Sequence, residues 1–203
     1  MCMDSKQRLW FSYAVKERNK AVGNGEGMLF PKITHPNDEL EVKALRTGGI
    51  NIVVEEIVEG IEAQTNVLFL DAMIDTAFGT LWELHKMWHE YHPESQYQQA
   101  NRDVRASKVS AEWLLEYTDH IEKELKNKTI NYDLIGSHYH YIIHVSLLLA
   151  EWLVGDRLFD ACMEVCRSNF TKLPYEKDSN GKVRKGDWFV APSLGQFIHN
   201  STS

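Results

Sequence analysis

Residues 53–75 read VVEEIVEGIEAQTNVLFLDAMID, and they constrain the fold more than any other stretch. Glu55 and Glu59 are four apart, Glu56 and Glu59 three apart, and Asp71 and Asp75 repeat the four-residue offset, with Glu62 between the clusters. On a helix those offsets stack carboxylates on one face, and like charges so placed destabilise it unless something offsets the repulsion. The acids are interleaved with Val, Ile, Leu and Met, and no basic residue occurs from 51 to 83. Water or a divalent cation must therefore do the offsetting. Clustered carboxylates suit hard cations such as Mg²⁺, which join a few carboxylates to substrate phosphates. A metal site is the stronger reading than a solvated acidic face. Residues 64–66 supply a turn short enough to make the flanking helices antiparallel neighbours, so that their acidic faces meet.

The rest of the chain keeps the helical period. Residues 5–20 place Leu9, Trp10, Tyr13, Ala14 and Glu17 at three/four spacing, predicting a helix with that face inward. Gly-rich residues 23–27 and the prolines after them read as loop, with no match to a phosphate loop or a dinucleotide fingerprint. Asp38, with Glu41 three residues on, fits a capping box, and Gly48 and Gly49 kink the following helix or divide it in two. Further helices are expected from about Val67, over 111–126 with Ser110 as cap, over 133–154 as a core helix, and over 158–169. Ser179, Asn180 and Gly181 suit a hairpin-like turn, but no strand pattern is sustained. The expected class is all-α: a helical bundle ending in an irregular basic C-terminal arm.

The 43% apolar content of this 203-residue chain is enough for a core that needs no disulfide. Cys162 and Cys166, four apart in an apolar run, read as buried free thiols of a reducing compartment, and Cys2 stands alone. The first twenty residues hold no apolar signal-peptide core, and the run around 145–154 is too short for a membrane span. A soluble cytoplasmic protein is expected. The net charge of −7 argues against nucleic acid as a partner, yet not against a small phosphorylated ligand. Arg167, Lys172, Lys177, Lys182, Arg184 and Lys185 form a basic stretch that complements an acidic metal site. His85, His89 and His92, and His138, His140 and His144, lack the Glu-x-x-His and HExxH patterns of metal sites, and are read as mainly structural. His140 and His144 are also candidates for lining a nucleobase pocket.

Three phrases stand in order: EEIVEGIEA then DAMID, with Gly79 shortly after; SNFTK at 168–172; and GKVRKGDWFVAPSL at 181–194. Together they resemble the MazG-like and phosphoribosyl-ATP pyrophosphohydrolase-like group of all-α nucleoside triphosphate pyrophosphohydrolases, with the phage-type members most similar. The likeness covers residues 38–88 and 156–198 of a single domain spanning 1–203; the N-terminal segment 1–37 and a helical insertion at 89–155 are unmatched.

The resemblance implies Mg²⁺, with Mn²⁺ as a substitute, held by Glu56, Glu59 and Asp75. Glu55 matches an additional Glu that acts as water-activating base or further ligand. The Glu expected three residues before Asp75 is Ala72 here, and Asp71 substitutes for it. Asn169, Lys172 and Lys185 match phosphate-side residues, with Lys182 beside them. The implied substrate is a (deoxy)nucleoside triphosphate, cleaved by water at the α-phosphorus to a monophosphate and pyrophosphate. A homodimer or homotetramer is implied, working in the host cytoplasm if phage-encoded, with neither nucleic acid nor membrane as partner. The alternatives are a non-catalytic nucleotide-binding or assembly protein, and hydrolysis of phosphoribosyl-ATP itself.

Overall fold

The computed structural model describes residues 3–21, 49–86, 108–172 and 184–199. These form α1 (Ser5–Ala21), α2 (Gly49–Glu62), α3 (Asn66–Lys86), α4 (Lys108–Leu125), α5 (Tyr132–Val154) and α6 (Leu158–Phe170). Short 3-10 turns at Gly155–Arg157 and Leu194–Gln196 complete them, and no strand occurs among the described residues. The all-α bundle expected from the helical period is what forms. None of its helices is long and apolar enough to cross a membrane, among the described residues.

The bundle is built around α3 and α5. Along α5, Ile135, Tyr139, Ile142, Ile143, Val145, Leu147, Leu149, Leu153 and Val154 are all buried, so this helix is enclosed nearly all round. α3 packs most extensively on α5 and on α2; α2 also packs on α4, α4 on α5, and α1 on α6 and α3. Hydroxyls that enter this core are satisfied on their own helix. Thr76 Oγ1 donates to Ala72 O at 2.8 Å, Thr80 Oγ1 to Thr76 O at 2.7 Å, and Ser146 Oγ to Ile142 O at 2.7 Å.

Local signals set the helix ends. Asp4 Oδ1 accepts from the Gln7 N–H at 2.7 Å while Gln7 Oε1 accepts from the Asp4 N–H at 2.9 Å, a reciprocal cap for α1. Asn131 Oδ1 accepts from the Leu134 N–H at 3.1 Å and starts α5. Gly155, at φ 58°, stops α5 in a conformation that a side chain would strain. Of the two glycines expected to kink or divide a helix, Gly49 opens α2. The buried Glu83 carboxylate lies against it, where a Gly49 Cβ would stand.

Three expectations are corrected. Ser110 is not a cap, because α4 already begins at Lys108. Trp113, placed on the inward face of α4, is 38% exposed. The face of α1 is wrong as well: Leu9, Trp10 and Tyr13 are exposed, while Arg8, Phe11, Ser12, Val15 and Arg18 are buried. The arginines go inside because they find partners there. Arg8 Nε donates to Met3 O at 3.0 Å and its Nη1 meets His144 Nδ1 at 3.0 Å. The Asp38 cap, the 179–181 turn, Cys2, His89 and His92 lie outside the described residues.

Gly49→Ala is expected to lower stability by about 1–3 kcal/mol, because the new methyl displaces a buried carboxylate. Chemical denaturation at neutral pH checks this. An unchanged midpoint would show that Glu83 has room to move.

Candidate functional site

The two acidic helices meet as their spacing requires. Glu56 and Glu59 share one face of α2, with Ala63 just past its end; Leu68, Asp71, Ala72 and Asp75 follow one face of α3. With Glu62 and Gln64, these residues line a single groove of 260 Å³. Gly60 lets the helices close, since a Cβ there would stand 2.5 Å from Met73 Cε and 3.4 Å from Ala72 Cβ. Ala72 is buried beside Gly60, and Asp71, one residue round the helix, is half-buried; both line the groove.

The electrostatics follow from the packing. Burial, and next the neighbouring Asp75, push the Asp71 carboxyl far above the usual carboxylate range, to about 7, with Glu59 adding to the rise. Lys185 and Lys172 pull it the other way, so both lysines lie near enough to act on it. Burial lowers the Lys172 ammonium, which Asp75 and Glu56 oppose and Arg18 and Lys185 reinforce. Asn169 is buried and donates from Nδ2 to Asp75 Oδ1 at 3.3 Å.

The C-terminal arm reaches this place through hydrogen bonds to α6. Ser168 Oγ donates to Val190 O at 2.7 Å, the Val190 N–H donates to Thr171 Oγ1 at 2.8 Å, and the Ser193 N–H donates to Glu164 Oε1 at 2.9 Å. Arg157 adds bonds to the carbonyls of Gln196, at 2.6 Å, and Phe197, at 2.5 Å. So anchored, the arm sets Phe189 between two cations, with Lys185 Nζ 4.9 Å and Lys172 Nζ 5.9 Å from its ring centroid.

Of the residues singled out from sequence, Glu56, Glu59, Asp71 and Asp75 share the groove, and Asn169, Lys172 and Lys185 stand beside it. Glu55 is exposed and is not part of the groove lining. Lys182 and Lys177 lie outside the described residues. Arg167 is spent elsewhere: its guanidinium makes a two-pronged contact with Glu164, at 2.8 and 2.6 Å, and with the Ser193 N–H this holds the Glu164 carboxyl down at about 2.

His140, His144 and His85 each have a polar contact within the bundle. His140 Nδ1 bonds Gly136 O at 2.8 Å, and His144 pairs with Arg8. His85 Nε2 meets Ser12 Oγ at 3.0 Å, and burial with Lys16 nearby pushes its imidazole down to about 4. Neither His140 nor His144 lines the groove. Cys162 and Cys166 are buried free thiols.

Sequence reasoning missed Arg18, Gln64 and Leu68. Arg18 carried a signal: it continues the three/four spacing of Phe11 and Val15, so a charged residue sat on an apolar face.

The donor set fits a hard cation. It is all carboxylate oxygen, and the buried Asp71 Oδ1 has no hydrogen-bond partner. Among the described residues, no three acids are drawn around a common point.

A raised folded pKa means that Asp71 adds stability when protonated and loses that contribution as pH rises through about 7. Asp71→Asn is therefore expected to melt progressively higher than the wild type from about pH 4 to about pH 7, with the gap constant above that, and Mg²⁺ is expected to narrow the gap by favouring the ionised form. Parallel melting curves across that range would show that Asp71 is not held protonated. No family model, curated protein or solved structure matches the chain, so the groove has to be read from its own chemistry.

Proposed function

We propose that the chain is a Mg²⁺-dependent (deoxy)nucleoside triphosphate pyrophosphohydrolase. One observation carries the reading: carboxylates from two helices line a shared groove while Lys172, Lys185 and Asn169 stand along its side. A polyphosphate chelating a divalent cation needs both halves, acids for the cation and cations for the remaining phosphate charge. The resemblance of the acidic, SNFTK and GKVRKG phrases to the all-α pyrophosphohydrolases points to the same chemistry.

In this mechanism Glu56, Glu59, Asp71 and Asp75 would hold Mg²⁺. Once bound, the ion neutralises phosphate charge and makes water a better nucleophile. Water attacks the α-phosphorus in line, the α–β bridging bond breaks, and pyrophosphate leaves. Lys172 and Lys185 receive the charge that collects on the leaving pyrophosphate, and Asn169 orients Asp75. Glu55, next to Glu56 in the chain, is the proposed acceptor of the water proton. Its exposure makes Glu55→Gln the variant that separates a proton acceptor from a bystander. A homodimer or homotetramer remains the proposed assembly on the strength of the resemblance.

Purified protein with Mg²⁺ and a panel of (deoxy)nucleoside triphosphates is expected to release pyrophosphate and not orthophosphate. Absence of pyrophosphate from every nucleotide would refute the reading, and nucleotide-dependent stabilisation without turnover would favour a binding protein instead. Glu56→Ala and Asp75→Ala are expected to lose activity by more than the roughly 10–100-fold that losing a ligand's supporting contact costs, with helicity unchanged. Wild-type turnover in either variant would remove these residues from the metal site.

A further inference from the structure

The groove between α2 and α3 has unlike ends. Gly60 and Ala72 meet midway along it, since a Cβ on Gly60 would stand 3.4 Å from Ala72 Cβ. The two helices double back on each other across the short link at 63–65. One turn to one side of that contact, Glu56 therefore comes opposite Asp75; one turn to the other, Ala63 and Gln64 come opposite Leu68. All five residues line the groove. Leu68 and Asp75 are seven residues apart, roughly 10 Å of helix at 1.5 Å per residue, so the two ends of a bound ligand meet different side chains.

The cations gather at the Glu56 and Asp75 end. Asn169 Nδ2 donates to Asp75 Oδ1 at 3.3 Å, and the carboxylates that favour the Lys172 ammonium are Asp75 and Glu56. Lys185 stands with Lys172, each Nζ within 6 Å of the Phe189 ring centroid, at 4.9 and 5.9 Å. At the turn end the lining changes. Ala63 and Leu68 are apolar, and Leu68 is 53% exposed on the groove face of α3. Gln64 Nε2 donates to Glu62 O at 2.8 Å, which orients the carboxamide. An amide held in this way offers an acceptor oxygen and a second N–H side by side, the pair that matches a donor–acceptor edge of a nucleobase. Glu62, exposed at the same end, repels phosphate and accepts from a hydroxyl or an exocyclic amine. A molecule that is polyanionic at one end and a flat, uncharged ring system at the other fits this gradient in one direction.

We propose that the turn end of the groove is the nucleoside subsite: the base packs on Leu68 and its edge is read by the Gln64 carboxamide, while the phosphates extend towards Asp75, Asn169 and Lys172. The proposal rests on the nucleoside triphosphate reading of the groove and deepens it, fixing the direction in which the substrate lies and naming two residues that select its base. An apolar wall with one oriented polar group is the way small-ligand sites combine affinity with choice.

Titration calorimetry in Mg²⁺ with two kinds of probe tests this without turnover: inorganic tripolyphosphate, and α,β-methylene deoxynucleoside triphosphates of the four bases, in which carbon replaces the bridging oxygen of the bond to be cut. The wild type is expected to bind at least one of these nucleotides about tenfold tighter than tripolyphosphate. Leu68→Ala and Gln64→Ala are each expected to remove most of that advantage and to leave tripolyphosphate affinity unchanged. Gln64→Ala is also expected to narrow the spread of affinities among the bases. Tripolyphosphate bound as tightly as every nucleotide overturns the proposal, as does no loss in the variants, or a loss equal for the two kinds of probe. Both side chains are exposed, so folded variants are expected; if Leu68→Ala fails to fold, Gln64→Ala decides. Nucleotide binding that depends on Leu68 and Gln64, in a protein that releases no pyrophosphate, upholds the subsite and removes the hydrolase reading. Pyrophosphate release with KM unchanged in both variants keeps the hydrolase and removes the subsite. A wild type that binds neither kind of probe overturns both.

Discussion

Apolar packing of α2 against α3 holds carboxylates of like charge around one groove, and much of the molecule answers that constraint. Ile50, Val53 and Ile57 on α2, and Leu70, Met73, Ile74 and Ala77 on α3, are buried in the common core. Gly60 against Met73 and Ala72 sets how close the helices come. The hydrophobic gain from these side chains, about 1.5–3 kcal/mol for each large one fully buried, is what keeps the acids in proximity. The cost appears at Asp71, which burial and Asp75 drive towards the protonated form. Burial and Asp75 together thus disfavour a further negative charge at Asp71.

The cationic side is assembled from parts distant in sequence, each fixed by its own contacts. The C-terminal end of α6 brings Asn169 and Lys172. The arm brings Lys185, but only because Ser168, Thr171, Glu164 and Arg157 tie its backbone down. Charge alone does not identify which basic residues take part. Arg167 is as basic as its neighbours, yet it is engaged by Glu164 on the same helix.

The first helix shows how pattern reading fails. Counting apolar residues puts Trp10 and Tyr13 inside; the structure exposes both, with their rings 6.5 Å apart in edge contact, and buries Arg8 and Arg18. Periodicity weighs side chains by hydrophobicity, whereas burial is decided by whether polar groups find partners. Arg8 finds His144 and the Met3 carbonyl, and Arg18 finds two aromatic rings.

By itself the sequence determined the helical class, the short turn that folds α2 back towards α3, and the two acidic faces, because these depend on residue spacing along a continuous chain. The breaks at Gly49 and Gly155 were legible for the same reason. Tertiary structure alone decided that Ala72 packs against Gly60 and that burial acts on the Asp71 carboxyl. It also decided that Glu55 stays outside while Glu56 lines the groove, that Lys185 reaches the acids, and that Arg18 is an interior cation. Each of these turns on a difference of one position around a helix, or on a contact between segments far apart in the chain. Local spacing carries no information about either, because the energies involved arise only when separate elements meet.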